Sequence, residues 1–230
     1  QSRSSAASDV YKRQVMTEIR IEDLPELFES IAKVFVEKKD ELCAMDANMG
    51  DGDLGLTMSK GYSAMPDLIR ENTVENNVGK TLFKAGMKMA SVVPSTMGTL
   101  MASGIMEAGK SLNEKDKIEA ADLAVFFESF AAGIKKRGKC EAGDRTIYDA
   151  LSAAGDRAKQ AANEDGNLLE VANAALKGAE EGVEATKDML PKFGKAAVFS
   201  AKAKGIADQG AVAGCLMVKG ICLFLESKSG

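Results

Sequence analysis

From residue 16 onward, apolar residues return every three or four positions, and no stretch alternates as a half-buried strand would. The segment "IEDLPELFESIAKVFVEKKDELCAM" sets the pattern, with Leu24, Leu27, Ile31, Phe35 and Leu42 at helical spacings. Further helices are expected over "LTMSKGYSAMPDLIREN", bent or interrupted at Pro66, and over "TVENNVGKTLFKAGMKMASVV", capped by Thr73. "PSTMGTLMASGIMEAGKSL" takes Pro94 into its first turn, and "NEKDKIEAADLAVFFESFAAGIKKRG" runs from an Asn113 cap to Gly138. Two helices follow between Thr146 and Pro191, which stops the second, and "AVAGCLMVKGICLFLESK" closes the chain. "KFGKAAVFSAKAKGIADQG" between them reads as a long loop with short ordered pieces.

That makes about eight helices and no strand pair. Gly104, Gly133, Gly178, Gly182 and Gly214 fall inside the expected helices. Each costs about 1 kcal/mol relative to Ala, so an offset is needed, and close helix–helix approach supplies one. A single all-α domain, a tight bundle or helical barrel, is the expected fold, with no linker dividing it. Residues 1–15, "QSRSSAASDVYKRQV", are polar and patternless before Met16 opens the first amphipathic run. They are expected to be a non-native or disordered leader, and residues 16–230 the folded domain.

Composition narrows the function. A net charge of −4 gives no electrostatic footprint for nucleic acid or anionic membrane, and the absence of Trp argues against base-stacking surfaces. No apolar run is expected to reach membrane-spanning length. Cys43, Cys140, Cys215 and Cys222 are scattered and the chain has no His, so a Cys/His zinc site is not expected. Reduced thiols in a cytoplasmic protein fit this usage.

One stretch breaks the helical rhythm with more than a polar turn. "AMDANMGDGDLGLTMSKG" holds Asp46, Asp51 and Asp53 among Gly50, Gly52 and Gly55. On a continuous helix those offsets would not place all three carboxylates on one face. In a glycine-jointed loop they can converge, and three converging carboxylates repel unless a cation offsets them. Hard oxygen donors select magnesium, calcium or manganese. The plainer alternative is a Gly/Asp surface turn. An EF-hand does not fit, because the twelfth position from Asp51 is Tyr62 and from Asp46 is Thr57.

Magnesium commonly binds together with substrate phosphates. In "SVVPSTMGT", Ser95 and Thr96 stand at an expected helix start, where backbone N–H groups and hydroxyls can hold a phosphate or simply cap the helix. There is no P-loop, and no GxGxxG after a strand.

Four segments, in order, resemble the nucleotide-binding L subunit of dihydroxyacetone kinases. "DANMGDGDLG" is similar to its Asp-x4-Asp-Gly-Asp-x-Gly signature, and "SVVPSTMGT" takes the place of its phosphate loop. "RGKCEAGDRTIYDAL" and "GKAAVFSAKAKGIADQGA" are similar to its two later segments. The resemblance implies a closed barrel of eight antiparallel helices with ADP or ATP at one end. It implies two Mg2+ ions on Asp46, Asp51 and Asp53, and a nucleotide site formed by Ser95, Thr96, Gly138, Gly143, Lys195, Asp208 and Gly210. It further implies transfer of a phosphoryl group to a small ketose held on a histidine of a separate K-type subunit. In one branch a phosphohistidine-bearing phosphotransferase subunit recharges the nucleotide. The alternative is a non-catalytic nucleotide-binding partner of a K-type subunit or a transcriptional regulator. The chain departs from the family where Leu54 replaces a usual His, Val93 a usual Ser, and Lys195 a usual Arg. For Asp208, the residue pattern alone favours a helix N-cap before "QGAVAGCLMVKG".

Overall fold

The computed structural model describes residues 16–194, 197–198 and 203–229. Nine α-helices occur among them: α1 (Leu24–Glu37), α2 (Lys39–Ala47), α3 (Leu54–Asn72), α4 (Val78–Val92) and α5 (Thr96–Ser111), then α6 (Ala120–Gly138), α7 (Ile147–Asn163), α8 (Leu168–Ala185) and α9 (Gln209–Lys228). Eight form a closed ring. Going round it, α1 packs on α3, and each helix from α3 to α8 packs on the next; α8 meets α9, and α9 returns to α1. The short α2 lies outside the ring order, against α3. Consecutive ring helices run in opposite directions, so α3, α5, α7 and α9 all begin at one end. This is the all-α barrel the sequence leads one to expect.

The core is a continuous apolar cluster fed by every ring helix, including Phe28, Phe35, Tyr62, Phe127, Phe130 and Phe224. Phe35 and Tyr62 bring α1 and α3 together, with ring centroids 4.8 Å apart. Interior glycines set the helix spacing. A Cβ on Gly104 would lie 2.6 Å from the Phe130 ring, and one on Gly182 would lie 2.5 Å from the Asp149 carbonyl oxygen. The helical penalty of these glycines is offset by backbone approach that no larger residue permits.

Several boundaries differ from expectation for local reasons. The first amphipathic run breaks at Lys38 into α1 and α2. Helix α3 continues through Pro66, which is buried within it. Asn77, not Thr73, caps α4, accepting from the Lys80 N–H at 2.7 Å, while the Thr73 hydroxyl closes α3 by donating to the Ile69 carbonyl. Pro94 lies just before α5 rather than in its first turn, and Ser95 is the cap, its side chain accepting from the Gly98 N–H. Helix α6 begins at Ala120 rather than near Asn113, because Lys117–Ile118 form a two-residue antiparallel pair with Ile19–Arg20. No strand pair was expected there; two residues are too few to show an alternating pattern.

Helix α9 corrects another expectation. It is 20 residues long, and its most apolar 18-residue window has a mean hydropathy of 1.6, so by length and composition alone it is enough to cross a membrane. Most of its length is buried in the ring against α1, α7 and α8. All four cysteines are free thiols.

Candidate functional site

The end of the ring where α3, α5, α7 and α9 begin holds a cleft of about 390 Å3. Its wall carries the first residues of each: Asp53 and Leu54, Ser95 and Thr96, Thr146 and Ile147, and Gln209 and Gly210. First-turn N–H groups of a helix lack intrahelical partners, and the helix dipole is positive there. Four helix starts round one cleft make an anion-binding environment.

The aspartates stand at its edge. Ligand oxygens of Asp46, Asp51 and Asp53 lie within 4.8 Å of one another. Asp46 is buried on the last turn of α2, whereas Asp51 and Asp53 are exposed. The loop is thus shorter than the sequence suggests, with one ligand fixed on a helix. Asp46 Oδ2 accepts from the N–H groups of Gly52 at 2.8 Å and Asp53 at 3.2 Å. Gly52 has φ +79°, a turn open to glycine at little cost. Gly50 is needed for space, since a Cβ there would overlap the Asp46 carboxylate. Asp53 occupies the N-cap position of α3 but makes no side-chain capping bond, which leaves its carboxylate to the cluster. The donor set is three hard carboxylate oxygens, and it suits a divalent cation such as Mg2+.

Around the aspartates, Ser95 caps α5 with a 3.0 Å bond from the Gly98 N–H, and Thr96 opens that helix. Gly98 is obligatory here, because a Cβ would strike the Val93 carbonyl. Asp208 caps α9 by accepting from the Ala211 N–H at 2.9 Å, the N-cap placement its sequence context favours. Burial pushes the Asp208 carboxyl up to about 6, against the opposing pull of the Ala211 N–H and Arg145. Gly210 lets α9 approach the others: a Cβ would lie 3.2 Å from Met97 Cε and 3.3 Å from the Ile147 nitrogen.

The structure therefore brings Asp46, Asp51, Asp53, Ser95, Thr96, Asp208 and Gly210 to one cleft. Gly138 and Gly143 are not on its wall. Gly138 ends α6 behind Leu100, which does line the cleft. Gly143, at φ +89°, donates its N–H to Asp149 Oδ1 at 2.6 Å and so shapes the loop leading into α7. Lys195 lies outside the described residues. Leu54, the residue at the family's usual His, is buried beside the aspartates.

Two cleft residues were missed by sequence reasoning. Arg145 is buried and its guanidinium Nη1 has no hydrogen-bond partner among the described residues. Gln209 donates from Nε2 to Asp46 Oδ1 at 3.4 Å, and its Oε1 is buried without a partner among the described residues. Arg145 stands inside the quoted "GDRT", and Gln209 inside "ADQGA", but neither residue type signals a site by itself.

A closed helical ring with carboxylates and helix starts gathered at one end defines a class of domain, and residues 48–223 match the family described as the DAK2 domain. The chain belongs to that family. It is 28% identical over 201 residues to the human (Homo sapiens) triokinase/FMN cyclase, covering 87% of this chain but 35% of that protein. It is also 25% identical over 190 residues to the PEP-dependent dihydroxyacetone kinase ADP-binding subunit DhaL of Escherichia coli, covering 83% of this chain and 90% of that one. The chain thus spans about a third of the length of the triokinase relatives and nearly all of the E. coli subunit. The crystal structure of the native dihydroxyacetone kinase of C. freundii shares the fold, with a TM-score of 0.64 at 22% identity, over 97% of this chain and 37% of that one.

Proposed function

We propose that this chain is the nucleotide-binding, phosphoryl-transferring component of a dihydroxyacetone-kinase-like enzyme. It would hold ADP or ATP with two Mg2+ ions and serve a small ketose carried by a K-type subunit. The observation that carries the reading is the aspartate triad facing four helix starts across one cleft. Asp46, Asp51 and Asp53 would hold the metal ions, and the starts of α5 and α9 would cradle phosphate oxygens. Magnesium, when bound, offsets charge on the phosphate oxygens. The protein's own part is positioning and preorganised donation. Capped helix starts keep their N–H groups aimed at the cleft. Met97, Leu100 and Ile147 give an apolar surface suited to a base.

Support comes also from relatives. The E. coli relative is called an ADP-binding subunit. A second crystal structure of the C. freundii kinase, which shares this fold with a TM-score of 0.64, is described as a complex with AMP-PNP and Mg2+. The chain has no His, so a ketose bound through histidine has to sit on another component. Recharging by a phosphohistidine-bearing subunit and exchange of the nucleotide are the two routes open to the same proposal.

The test is direct. Calorimetry of the purified chain with ADP or ATP, with and without Mg2+, should show metal-dependent binding. Phosphoryl transfer to dihydroxyacetone should then appear only with a K-type subunit added, using ATP or a phosphotransferase chain. Lack of nucleotide binding overturns the reading. Tight binding with no transfer in either assay favours the non-catalytic regulatory partner, and a specific feature motivates that second reading. The position of the family's phosphate-loop Ser is Val93, which is buried, and the Ser95 hydroxyl is already engaged in capping α5.

A further inference from the structure

Arg145 lies just before α7 with φ +58°, a left-handed conformation that a non-glycine residue rarely adopts, and its side chain is wholly buried. A residue kept in such a state is over-determined by its surroundings. The surroundings are far away in sequence. Nε donates to the Thr186 carbonyl at 3.2 Å, and Nη2 donates to the Ile206 carbonyl at 2.8 Å and the Ala203 carbonyl at 3.4 Å. Nη1 stands 3.8 Å from Asp208 Oδ1. Asp208 is anchored a second time, its N–H donating to Thr186 Oγ1 at 2.9 Å. The start of α9 is therefore clamped to the entry of α7 and the exit of α8. The first residue of α9, Gln209, then reaches Asp46 Oδ1. The other Asp46 oxygen is already held by loop N–H groups, so Gln209 is the contact that completes its orientation.

We propose that Arg145 is a positioning residue for the aspartate centre, acting through Asp208 and Gln209 on Asp46. This rests on the reading of that centre as a metal–nucleotide site. Lysine would keep one charge but not the planar fork. A flexible stem with one point charge does not span three carbonyls and a carboxylate as a planar guanidinium does. Partners behind a metal ligand commonly govern affinity by 10- to 100-fold, and the structure gives Arg145 that standing from a position that touches none of the three aspartates.

The experiment measures Mn2+ binding alone by electron paramagnetic resonance and Mg2+–ADP binding by calorimetry on the full chain. The variants are Arg145→Lys, Arg145→Met, Gln209→Ala and the Arg145→Met/Gln209→Ala double. Phe224→Leu serves as a stability control, a core change roughly 22 Å along α9 from Gln209. Circular dichroism reports folding, and Arg145→Lys retains the charge if the Met variant does not fold. Arg145→Met should weaken Mn2+ binding about tenfold or more, and Arg145→Lys by a smaller but clear factor, since it keeps one charge. Gln209→Ala should also weaken it, and the double variant should be less than additive, because the two act by one route. Phe224→Leu should leave it unchanged. Affinity within twofold of the parent for a folded Arg145 variant overturns the proposal, as does an equal loss in the Phe224 control or strict additivity in the double. If the parent binds Mn2+ but not Mg2+–ADP, the nucleotide reading falls while the Mn2+ results still decide the role of Arg145. If the parent binds neither, both fall.

Discussion

The two ends of the barrel use the same helix-end chemistry to opposite effect. At the end away from the cleft, polar groups satisfy one another. Asn167 caps α8 by accepting from the N–H groups of Leu169 and Glu170, and Glu170 returns a bond to the Asn167 N–H at 2.8 Å. Lys117 pairs with both Glu18 and Glu119 at 2.8 Å, and Lys228 of α9 with Glu26 of α1 at 2.6 Å. At the cleft end, three carboxylates are gathered together, and Arg145 Nη1 and Gln209 Oε1 are buried without hydrogen-bond partners among the described residues. Buried polar groups cost free energy when left unpaired, and here they stand beside the gathered carboxylates of the proposed site. One end closes the ring, and the other gathers the groups of the proposed site.

The largest effect should come from breaking the cleft end where its charge is concentrated. Asp51→Asn and Asp53→Asn should each weaken Mg2+-dependent nucleotide binding by about 100-fold or more, since a neutral amide removes a charged hard-oxygen ligand. Calorimetry reads the loss, and circular dichroism should show the helices intact because both residues are exposed. Unchanged affinity in both variants would erase the contrast between the ends. Ser95→Ala should have a mixed effect. Losing the cap costs about 1 kcal/mol of stability, seen by chemical denaturation. Fraying the start of α5 should also lower nucleotide affinity, by about tenfold in calorimetry.

Asp208 adds a pH signature. Its carboxyl is raised in the folded protein, from an ordinary 3.8 to about 6, because burial penalises the charged form. Between these values the folded state binds more protons than the unfolded, so the Asp208 contribution to stability is present at low pH and is lost as pH rises toward 6. Asparagine is an equally good N-cap but does not titrate. The melting temperature of Asp208→Asn minus that of the parent should therefore increase from pH 4 to 6 and level off above it. A flat difference would show that the buried pair with Arg145 outweighs desolvation.

Much of this was legible in the sequence because helices announce themselves by period. Leu24, Leu27, Ile31 and Phe35 repeat on one face, and the interior glycines announce close packing. The Lys38 break was not legible, since the apolar spacing runs on across it from Phe35 to Leu42. The aspartate cluster was readable from local carboxylate density. The converging helix starts were not, because they follow from the alternation of directions round a closed ring. Arg145 was hidden for a related reason: its partners at Thr186, Ala203, Ile206 and Asp208 lie 41 or more residues away, so no local pattern records them.

The smallest effect tests the quiet end. Asn167 caps α8 through two backbone donors, so Asn167→Ala should cost about 1 kcal/mol in denaturant unfolding. Its chemistry matches that of Ser95, since each satisfies first-turn N–H groups that would otherwise be orphaned. Their positions differ: Ser95 stands on the cleft and Asn167 begins a helix that runs toward it. Comparable stability losses in the two variants, with nucleotide affinity falling only for Ser95→Ala, would separate capping as scaffold from capping as site construction. An equal affinity loss for Asn167→Ala would mean that binding simply follows global stability. The two ends would then differ in composition and not in role.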